Sequence, residues 1–456
     1  MRTNPCKSSR SIAIVILALT SVSWGCATGS ASAPSNDTGT LLVAPTDSGP
    51  TPPDDTGEGF PTFDADSPDF GPGDDTSWFD AGPAAAPVQL SLGHAHSCVR
   101  LIDGTVRCWG SNAAGELGDG TQISRPYAEP VVGLTGVAEV STPTGDRRTC
   151  ARSVDGQVTC WGALADLDLP ERCRFGDPAD WSPCTTSPMP FDAPPGVVQL
   201  AQGLGTCARL ADGTVFCFTG KRPGTSLDAY TDVAEIELGD HHGCLRFDDG
   251  TLGCWGDDAF GQLGFAAPDS CTTVLGTNPC STVPRPIPLL DQVADIALGD
   301  SHTCALLTDG TVRCWGANFA GQLGYGAVDD CTSYEYPCGK KPGTVTALGG
   351  ATQIAVGGYH ACALLADRTV KCWGDNTDGE LGFVTTEKCG GSEAFPCSIT
   401  PKTVPGLGDV VQLAAGRRHT CAILGDGRVK CWGWNGFGQL GDGTTETRIT
   451  PVRVLL

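Results

Sequence analysis

One spacing recurs seven times along this chain: a cysteine, nine further residues and a second cysteine, usually followed by Trp-Gly. The seven pairs are Cys98 with Cys108, Cys150 with Cys160, Cys207 with Cys217, Cys244 with Cys254, Cys304 with Cys314, Cys362 with Cys372, and Cys421 with Cys431. Their first cysteines lie 37 to 60 residues apart, which is the period of a repeat architecture. The sequence therefore predicts seven copies of one structural unit.

The copy between residues 300 and 324 shows what one unit forms. Two short apolar and β-branched runs flank Thr308-Asp309-Gly310, and a three-residue loop that ends in Gly is a common hairpin connection. Counting back from this loop puts Cys304 directly opposite Cys314, with Cβ atoms close to disulfide distance. The spacing therefore predicts a disulfide across each hairpin. Arg368 stands where the other copies have Gly, and we expect a left-handed Arg to weaken that hairpin.

The cysteine usage and the net charge bound the compartment and the partners. Twenty-two of the 24 cysteines follow residue 90, and they fall into local pairs. Such usage is typical of oxidised, exported proteins. The formal net charge is −23, and a strongly acidic surface repels phosphate backbones. We therefore exclude nucleic acid as a partner.

Four further cysteine pairs lie in insertions after the hairpins of copies two, four, five and six. They are Cys173 with Cys184, Cys271 with Cys280, Cys331 with Cys338, and Cys389 with Cys397. Zinc ligation is the alternative, but zinc sites usually show C-x₂₋₄-C spacing, so we favour loops pinned by disulfides. Rigid loops on a scaffold commonly carry binding, and aromatic residues are typical anchors. The predicted partner-binding residues are Trp181, Tyr334, Tyr336 and Phe395.

Residues 1–26 have the features of a signal peptide of the lipoprotein type. A basic start precedes the apolar run of residues 11–22, which is too short to span a bilayer comfortably. Gly before Cys26 resembles a bacterial lipobox, whose cysteine is acylated, and ordinary cleavage after Ala31 is the alternative. We favour acylation because Cys26 is otherwise an unpaired cysteine.

Residues 27–86 have the composition of a solvated linker. This stretch is mostly Ser, Thr, Gly, Pro, Ala and Asp, with eleven acids and no Lys or Arg. Such a segment cannot bury enough apolar surface to offset the entropy of ordering it. We therefore expect a disordered acidic tether, followed by the repeats in residues 87–456.

The remaining pattern of each copy predicts short strands. A copy opens with an alternating strand, as at residues 293–298, and ends in an extended piece that contains proline, as at residues 450–454. About four strands per copy, repeated seven times without helical periodicity, favour a β-propeller.

Residues 299–324 carry, in order, Gly-x-x-His-Thr, x-Asp-Gly, Trp-Gly-x-Asn and Gly-Gln-Leu-Gly, and so resemble the regulator of chromosome condensation repeat family. The resemblance covers about residue 87 to residue 456. It implies an all-β fold, a seven-bladed β-propeller, whose blades here carry disulfides and which follows the disordered tether. Copies two and three depart from the motif: neither has Gly-(Gln/Glu)-Leu-Gly, and Phe218 replaces the tryptophan in copy three.

The polar residues show no catalytic, cofactor or metal motif. Nucleophile elbows, phosphate loops and complete calcium loops do not occur. Five histidines lie two residues before the first cysteine of a pair: His96, His242, His302, His360 and His419. A ring of metal ligands is one interpretation, but we favour a hydrogen bond from each His within its own blade. The acidic pair Asp257-Asp258 is expected to be solvated.

These observations support three functional hypotheses. The favoured one is a non-catalytic, monomeric, protein-binding propeller without cofactors, displayed on a bacterial envelope through the lipid on Cys26, or else secreted. Its membrane contact would be the lipid alone, and the sequence does not identify the protein partner. The second, implied by the family resemblance, is guanine-nucleotide exchange on a small GTPase, although a shared fold does not transfer a function. The third is inhibition of a secreted or periplasmic enzyme, since exported propellers of this type resemble secreted β-lactamase-inhibitory proteins.

The lipoprotein interpretation predicts a change of fraction on a single substitution. Cys26→Ser removes the acylated thiol, so the protein should move from the membrane fraction to the soluble fraction. Fractionation and immunoblotting measure this. A wild-type mature chain that begins at Ser32 would contradict acylation.

Overall fold

In a computed structural model, the structure describes residues 85–456 except 165–168, 170–171, 175–180, 204, 220–226, 228, 274–275, 327–328, 332–335 and 391–393. The expected leader, Cys26 and nearly all of the expected tether lie outside the described residues. Within them every regular element is a β-strand, and no helix long and apolar enough to cross a membrane is found there. The strands form seven antiparallel sheets. The predicted seven-bladed all-β propeller is confirmed.

The first three blades contain twelve strands. Blade 1 has β1 (Pro87–Leu92), β2 (His96–Leu101), β3 (Val106–Gly110) and β4 (Arg125–Pro130). Blade 2 has β5 (Val137–Ser141), β6 (Arg148–Ser153), β7 (Val158–Ala163), β8 (Arg172–Arg174) and β9 (Trp181–Phe191). Blade 3 has β10 (Val197–Gln202), β11 (Thr206–Leu210) and β12 (Val215–Thr219).

The other four blades complete the ring. Blade 4 has β13 (Val233–Leu238), β14 (His242–Phe247), β15 (Leu252–Asp257), β16 (Asp269–Thr273) and β17 (Gly276–Pro286). Blade 5 has β18 (Val293–Leu298), β19 (His302–Leu307), β20 (Val312–Ala317), β21 (Asp329–Cys331) and β22 (Tyr336–Thr344). Blade 6 has β23 (Ala351–Val356), β24 (His360–Leu365), β25 (Val370–Asp375), β26 (Lys388–Cys389) and β27 (Phe395–Thr403). Blade 7 has β28 (Val410–Ala415), β29 (His419–Leu424), β30 (Val429–Gly433) and β31 (Arg448–Arg453).

Blades 2, 4, 5 and 6 have five strands rather than the expected four. In each of them the insertion supplies a short extra strand (β8, β16, β21 or β26) that pairs outside the fourth strand of the basic unit. In blade 3 the described strands number three, and residues 220–226 and 228, where the motif would place a fourth, lie outside the description. The insertions thus extend blades outward without changing the order of the inner strands.

The register of the hairpins is the predicted one. Cys304 pairs directly with Cys314, and Ala305 pairs with Arg313. The Cα atoms of the two cysteines are 4.1 Å apart, as suits directly opposed residues of a non-hydrogen-bonded pair. Gly310 has a φ of +81°, and Arg368 has a φ of +64° at the same turn position of blade 6. The turn therefore requires the left-handed conformation, as the sequence indicates.

Every cysteine pair that the spacing predicts is bonded in the structure. The seven hairpin disulfides are Cys98 to Cys108, Cys150 to Cys160, Cys207 to Cys217, Cys244 to Cys254, Cys304 to Cys314, Cys362 to Cys372, and Cys421 to Cys431. The four insertion disulfides are Cys173 to Cys184, Cys271 to Cys280, Cys331 to Cys338, and Cys389 to Cys397. These cysteines are therefore structural, and the four insertion pairs form disulfides rather than zinc ligands.

Antiparallel order divides the connections between two faces of the propeller. The first-to-second and third-to-fourth strand connections lie at one end of every blade, and we call this end the insertion face because all four insertions follow a third strand. The Asp-Gly turns and the links between blades lie at the other end, the turn face. β1 runs from the turn face, where the N–H of Ile102 donates to the carbonyl of Ala86 at 2.9 Å.

Seven hydrophobic clusters, one between each pair of neighbouring blades, make up the core. Between blades 5 and 6, Cys304, Cys314 and Leu323 pack against Ile354 and Trp373. Each blade therefore turns its hairpin disulfide toward the next blade, and a blade that has the motif tryptophan turns it toward the preceding one.

All eleven disulfides join strands of a single blade. The ring itself closes without a covalent link: β1 lies against β28 and β29, and Ala128 N–H of blade 1 donates to the carbonyl of Leu455 at 3.1 Å. Disulfides of this number are typical of folding in an oxidising, extracytoplasmic compartment.

Candidate functional site

The four pinned insertions are short β-hairpins on the insertion face. Their disulfides join Cα atoms 5.7 to 5.8 Å apart. In blade 4, Cys271 pairs with Asn278 whereas Cys280 pairs with Asp269, so this disulfide crosses the ladder diagonally. The geometry differs from that of the directly opposed blade disulfides, but both hold two neighbouring strands together.

A proline carbonyl attaches each insertion to its blade. The proline before the second cysteine accepts a hydrogen bond from the main-chain N–H of the residue that starts the third-to-fourth strand connection. The four bonds are Leu164 to Pro183 at 2.9 Å, Asp258 to Pro279 at 2.8 Å, Asn318 to Pro337 at 2.9 Å and Asn376 to Pro396 at 3.0 Å. Each hairpin is therefore fixed both by its disulfide and by its attachment to the blade.

Blades 1 and 7 make the same connection without a hairpin. In blade 1, Asp119 accepts from Thr121, from the Asn112 amide at 3.0 Å and from Arg125 at 3.2 Å. In blade 7, Asp442 accepts from Arg448 at 2.8 Å in the same arrangement. A short Asp-Gly-Thr connection is therefore enough to complete a blade.

The structure describes only part of the predicted anchor set. Phe395 starts β27 and is half-buried. Trp181 and Tyr336 are the first residues of β9 and β22, but their side chains lie outside the description, as does the whole of Tyr334. The assignment of these four residues to a partner therefore stays a prediction.

An aromatic patch on blade 7 was missed by the sequence analysis. The rings of Trp434 and Phe437 meet edge to face with centroids 5.5 Å apart, and the Arg418 guanidinium lies 5.6 Å from the centroid of Trp434. Phe437 is 42% exposed. We call Arg418, Trp434 and Phe437 the anchor patch. One signal was available: Trp434 stands after Trp-Gly, where the other intact copies have the small or acidic residues Ser111, Asp257, Ala317 and Asp375.

The predicted role of the five motif histidines is wrong in one respect. We expected each ring to hydrogen-bond within its own blade, but four of them contact the next blade. The contacts are His96 Nε2 to Thr149 at 2.9 Å, His242 Nε2 to Thr303 at 2.7 Å, His360 Nε2 to Thr420 at 2.9 Å and His419 Nε2 to Ser97 at 2.8 Å. The motif therefore joins blades rather than organising one.

A shared main-chain carbonyl completes this contact, which we call the blade hub. Between blades 4 and 5, the carbonyl of Gln262 accepts from Thr303 Oγ1 and from Trp315 Nε1, both at 2.9 Å. Because Thr303 Oγ1 donates to that carbonyl, it must accept from His242, whose proton is therefore on Nε2. The hub thus explains why His, Ser/Thr, Trp and Gly-(Gln/Glu)-Leu-Gly recur together.

The glycine of Gly-x-x-His is part of the same arrangement. A Cβ on Gly299 would lie 2.5 Å from Cε1 of the His302 ring. No side chain fits there while the imidazole occupies the junction, so the motif requires glycine.

One hub is incomplete. At the junction of blades 5 and 6, Ala361 stands where blades 1, 2, 3, 5 and 7 have Ser or Thr, and Nε2 of the buried His302 has no hydrogen-bond partner. Trp373 still donates to the Gln322 carbonyl at 3.0 Å. An unpaired buried polar group lowers stability, so this junction lacks one of the favourable contacts that its neighbours make.

A second polar assembly joins residues of five blades at the insertion-face ends of their innermost strands. Arg417 of blade 7 lies 3.0 Å from the carboxylate of Asp300 in blade 5 and 3.9 Å from that of Asp240 in blade 4. It also contacts His94 Nδ1 of blade 1 at 3.2 Å, and Thr144 of blade 2 donates to Asp240 at 3.2 Å. We call these five residues the mouth cluster.

Burial shapes the electrostatics of the mouth cluster. Burial, together with the neighbouring Asp300 carboxylate, raises the pKa of Asp240 well above its usual range. Burial and the nearby Arg417 lower the pKa of His94 to about 4, so His94 is neutral at pH 7. Acids and a histidine therefore do converge here, as an enzyme would require. However, both carboxylates face the same arginine, and this arrangement fits a structural contact between blades.

Channel-facing side chains join the innermost strands. A β-bulge near the start of each innermost strand places Gln89 so that its amide donates to the Val140 carbonyl at 3.1 Å and accepts from the Val140 N–H at 3.0 Å. Acids occupy the same place in blades 2, 4 and 5, and burial together with Asp295 raises the pKa of Glu235 to about 7.

The expectation for Asp257-Asp258 is wrong, because both residues are buried. Asp258 Oδ1 accepts from Leu263 N–H at 3.0 Å, which is the contact that Asn318 makes with Leu323. Asp258 therefore takes the place of the motif asparagine. Among the residues that the structure describes, no group of three His, Cys, Asp or Glu side chains is arranged to hold a metal ion.

The incomplete hub predicts a stabilising substitution. Ala361→Thr restores the missing hydroxyl between His302 and the Gln322 carbonyl, and should add about 1–2 kcal/mol to the free energy of unfolding. Thr420→Ala, which removes the same hydroxyl from an intact hub, should cost about 1–3 kcal/mol. Guanidinium titrations measure both. A loss of stability in Ala361→Thr would contradict the hub.

The hub histidines also predict a dependence on pH. Burial lowers the pKa of His360 to about 3, whereas the unfolded imidazole titrates near 6.5. The stability that it contributes is therefore complete above pH 6.5 and is lost as the pH falls toward 3. The free energy of unfolding of His360→Gln, relative to that of the wild type, should therefore rise by about 1.4 kcal/mol for each unit by which the pH falls between roughly pH 6 and pH 4. If the difference in free energy of unfolding between variant and wild type does not change with pH, this prediction is wrong.

The chain is similar to several known proteins. It is 28% identical to the ultraviolet-B receptor UVR8 of Arabidopsis thaliana over 381 residues, which cover 82% of this chain and 70% of that protein. It is 27% identical to the human E3 ubiquitin-protein ligase HERC2 over 373 residues, which cover 80% of this chain but only 6% of HERC2.

The chain also aligns with solved structures. Yeast RCC1 (Prp20), crystallised with Kap60, aligns with a TM-score of 0.47 and 20% identity over 81% of this chain and 74% of that chain. The CRINKLY WD40 ectodomain of the Arabidopsis thaliana receptor kinase ACR4 aligns with a TM-score of 0.45 and 18% identity over 80% of this chain and 100% of that chain. The family model of the RCC1-like domain matches residues 69–456. The chain therefore belongs to the RCC1-like domain family.

Proposed function

We propose that this protein is a non-catalytic, protein-binding propeller of an extracytoplasmic compartment, and that it binds its partner with the insertion face. The observation that carries this proposal is the set of four pinned hairpins. They lie on one face, and blades 1 and 7 complete the same connection without them. Hairpins that the blade does not need, and that are nevertheless fixed by a disulfide and a proline carbonyl, are suited to binding because little entropy is lost when a rigid loop is bound.

The anchor patch supplies the residue types of an interaction centre. Trp and Arg dominate the energetics of protein interfaces, and Arg418 and Trp434 stack on blade 7 beside the exposed Phe437. Blade 7 carries no hairpin, and neither does blade 1. The patch therefore lies on a part of the face where a partner meets no insertion.

The charge of the insertions indicates the chemistry of the partner. Residues 164–184 hold five acids and two arginines, residues 257–280 and residues 318–338 hold three acids each, and residues 376–397 hold four acids and one lysine. Every insertion-bearing connection thus has a formal charge of −3. Of the acids whose side chains the structure describes in these connections, Asp257, Asp258 and Glu380 are buried and the others are not. We infer a protein partner whose contact surface is basic around an apolar centre, since complementary charge steers association.

The place where the chain enters the propeller supports display from an envelope. The first strand, β1, starts at the turn face, opposite the insertion face. A signal peptide over residues 1–26, acylation of Cys26 and an acidic linker over residues 27–86 remain proposals. Together they would leave the insertion face free to meet a partner, with the lipid as the membrane contact and a monomeric propeller over residues 87–456.

The two other hypotheses differ from this one in the partner that they require. An inhibitor would capture a secreted or periplasmic enzyme and reduce its activity, which the same rigid face would suit. An exchange factor would capture a small GTPase, and the eleven disulfides argue against a cytosolic site of action.

The proposal predicts which substitutions abolish capture from an envelope extract. Trp434→Ala with Phe437→Ala should remove the anchors, and short Gly-Ser loops in place of residues 331–338 and 389–397 should remove two hairpins. Both variants should keep the melting temperature within a few degrees, because neither touches a hub, and both should lose the captured protein, as measured by quantitative mass spectrometry. Capture should also weaken as NaCl is raised, since salt screens the acidic rim.

A matched control is available on the turn face. Ile102 and Val154 are 68% and 77% exposed at the hairpin turns of blades 1 and 2. Ile102→Ser with Val154→Ser changes a similar apolar area and should leave capture unchanged. Loss of capture in this control, with full capture by the two test variants, would place binding on the turn face.

A further inference from the structure

The blade hub is not repeated at every junction of the ring. It is complete between blades 7 and 1, 1 and 2, 4 and 5, and 6 and 7. Between blades 5 and 6 only the hydroxyl is missing, together with its two contacts, while the tryptophan still bonds the carbonyl. Blade 3 is different on both sides, because most of the residues that would form its hubs are replaced.

The replacements are read directly from the sequence. Toward blade 2, the histidine is replaced by Arg148 and the tryptophan by Phe218, which has no N–H to donate. Toward blade 4, the histidine is replaced by Gly205 and the Ser/Thr by Gly243. A Cβ on Gly243 would lie 2.6 Å from the Trp255 ring, so this indole fills the place of the missing side chain.

Weaker contacts keep blade 3 in the ring. Gln199 bonds the Ile236 main chain of blade 4 through both its amide atoms at 3.1 and 3.2 Å, and Leu200 N–H donates to Glu139 of blade 2 at 3.1 Å. Phe218 packs against Phe191 of blade 2 with centroids 5.2 Å apart. These hydrogen bonds hold the inner strand, and apolar clusters pack the second and third strands, whereas a hub adds side-chain hydrogen bonds to those two strands.

The mouth cluster crosses this part of the ring. The first connection of blade 2 carries Thr144, which donates to Asp240 of blade 4 at 3.2 Å and thereby links two blades that are not neighbours. A side chain on Gly145 would overlap the Asp240 carboxylate, so the loop lies directly against it. Arg417 then joins Asp240 to Asp300 and to His94.

From this arrangement we propose that the mouth cluster is a lock that holds the ring closed across blade 3, and that blade 3 is where the propeller opens first. Through the mouth cluster, blades 2 and 4 contact each other and blades 5, 7 and 1 without using any residue of blade 3. Since each disulfide joins strands of one blade, the ring can open beside blade 3 without reduction of a disulfide. The lock replaces, at one end of the channel, the hubs that blade 3 lacks.

Hydrogen–deuterium exchange on the full chain tests the lock. In the wild type, amides of β10 to β12 should exchange faster than those of β19 and β20. Arg417→Gln should accelerate exchange in β10 to β12 by about tenfold or more, as expected when charge-assisted hydrogen bonds are lost next to a weak junction. The exchange rates of amides in β18 to β31 should change by less than about twofold.

Two further variants make the result specific. Arg418→Gln is the matched control, because this neighbouring arginine pairs with Asp378 and Trp434 between blades 6 and 7; it should leave β10 to β12 unchanged. Thr144→Val removes only the link from blade 2 to blade 4 and should give the same local pattern as Arg417→Gln, even if the latter folds poorly. Equal acceleration in all blades, or acceleration confined to β28 and β1, would overturn the proposal.

Discussion

Two side-chain donors that converge on one main-chain carbonyl determine how this propeller holds together. The carbonyl of Gln262, and its counterparts Glu116, Glu380 and Gln439, each accept from a tryptophan and a hydroxyl of the next blade. Both donors are buried, so leaving either of them unpaired would cost more than the bond contributes. The hydroxyl in turn accepts from a histidine, and this draws three strands of two blades to one point.

Covalent and non-covalent contacts stabilise different levels of the structure. Each hairpin disulfide packs against the neighbouring blade within a core cluster. The eleven disulfides of the described residues each join strands of one blade and do not link two blades. Cohesion of the ring therefore rests on hydrogen bonds, packing and the mouth cluster. The result is a repeat protein whose units are individually constrained and whose junctions differ in strength, with the weakest beside blade 3.

The proposed binding face depends on the same difference between what builds one blade and what builds the ring. A short Asp–Arg connection, as at Asp119 and Arg125, completes a blade, so the pinned hairpins of blades 2, 4, 5 and 6 add surface rather than fold. The anchor patch lies where such hairpins are missing. Aromatic centre and acidic rim together form the kind of surface that a basic protein partner fits.

Local spacing was sufficient to predict the hairpin register and the left-handed turn, because these depend on residues fewer than about fifteen positions apart. The number of blades was predicted from the seven copies of the spacing together with the family resemblance. Phe218 in place of the motif tryptophan, and the missing Gly-(Gln/Glu)-Leu-Gly, likewise marked copy three as different in the sequence. The partners of the histidines, the anchor patch and the mouth cluster could not be predicted in the same way. His419 meets Ser97, and Arg417 meets His94, across more than 320 residues, and only closure of the ring brings them together. The sequence determined the unit, and the tertiary structure decided what the units share, since each shared contact needs atoms from two or more blades.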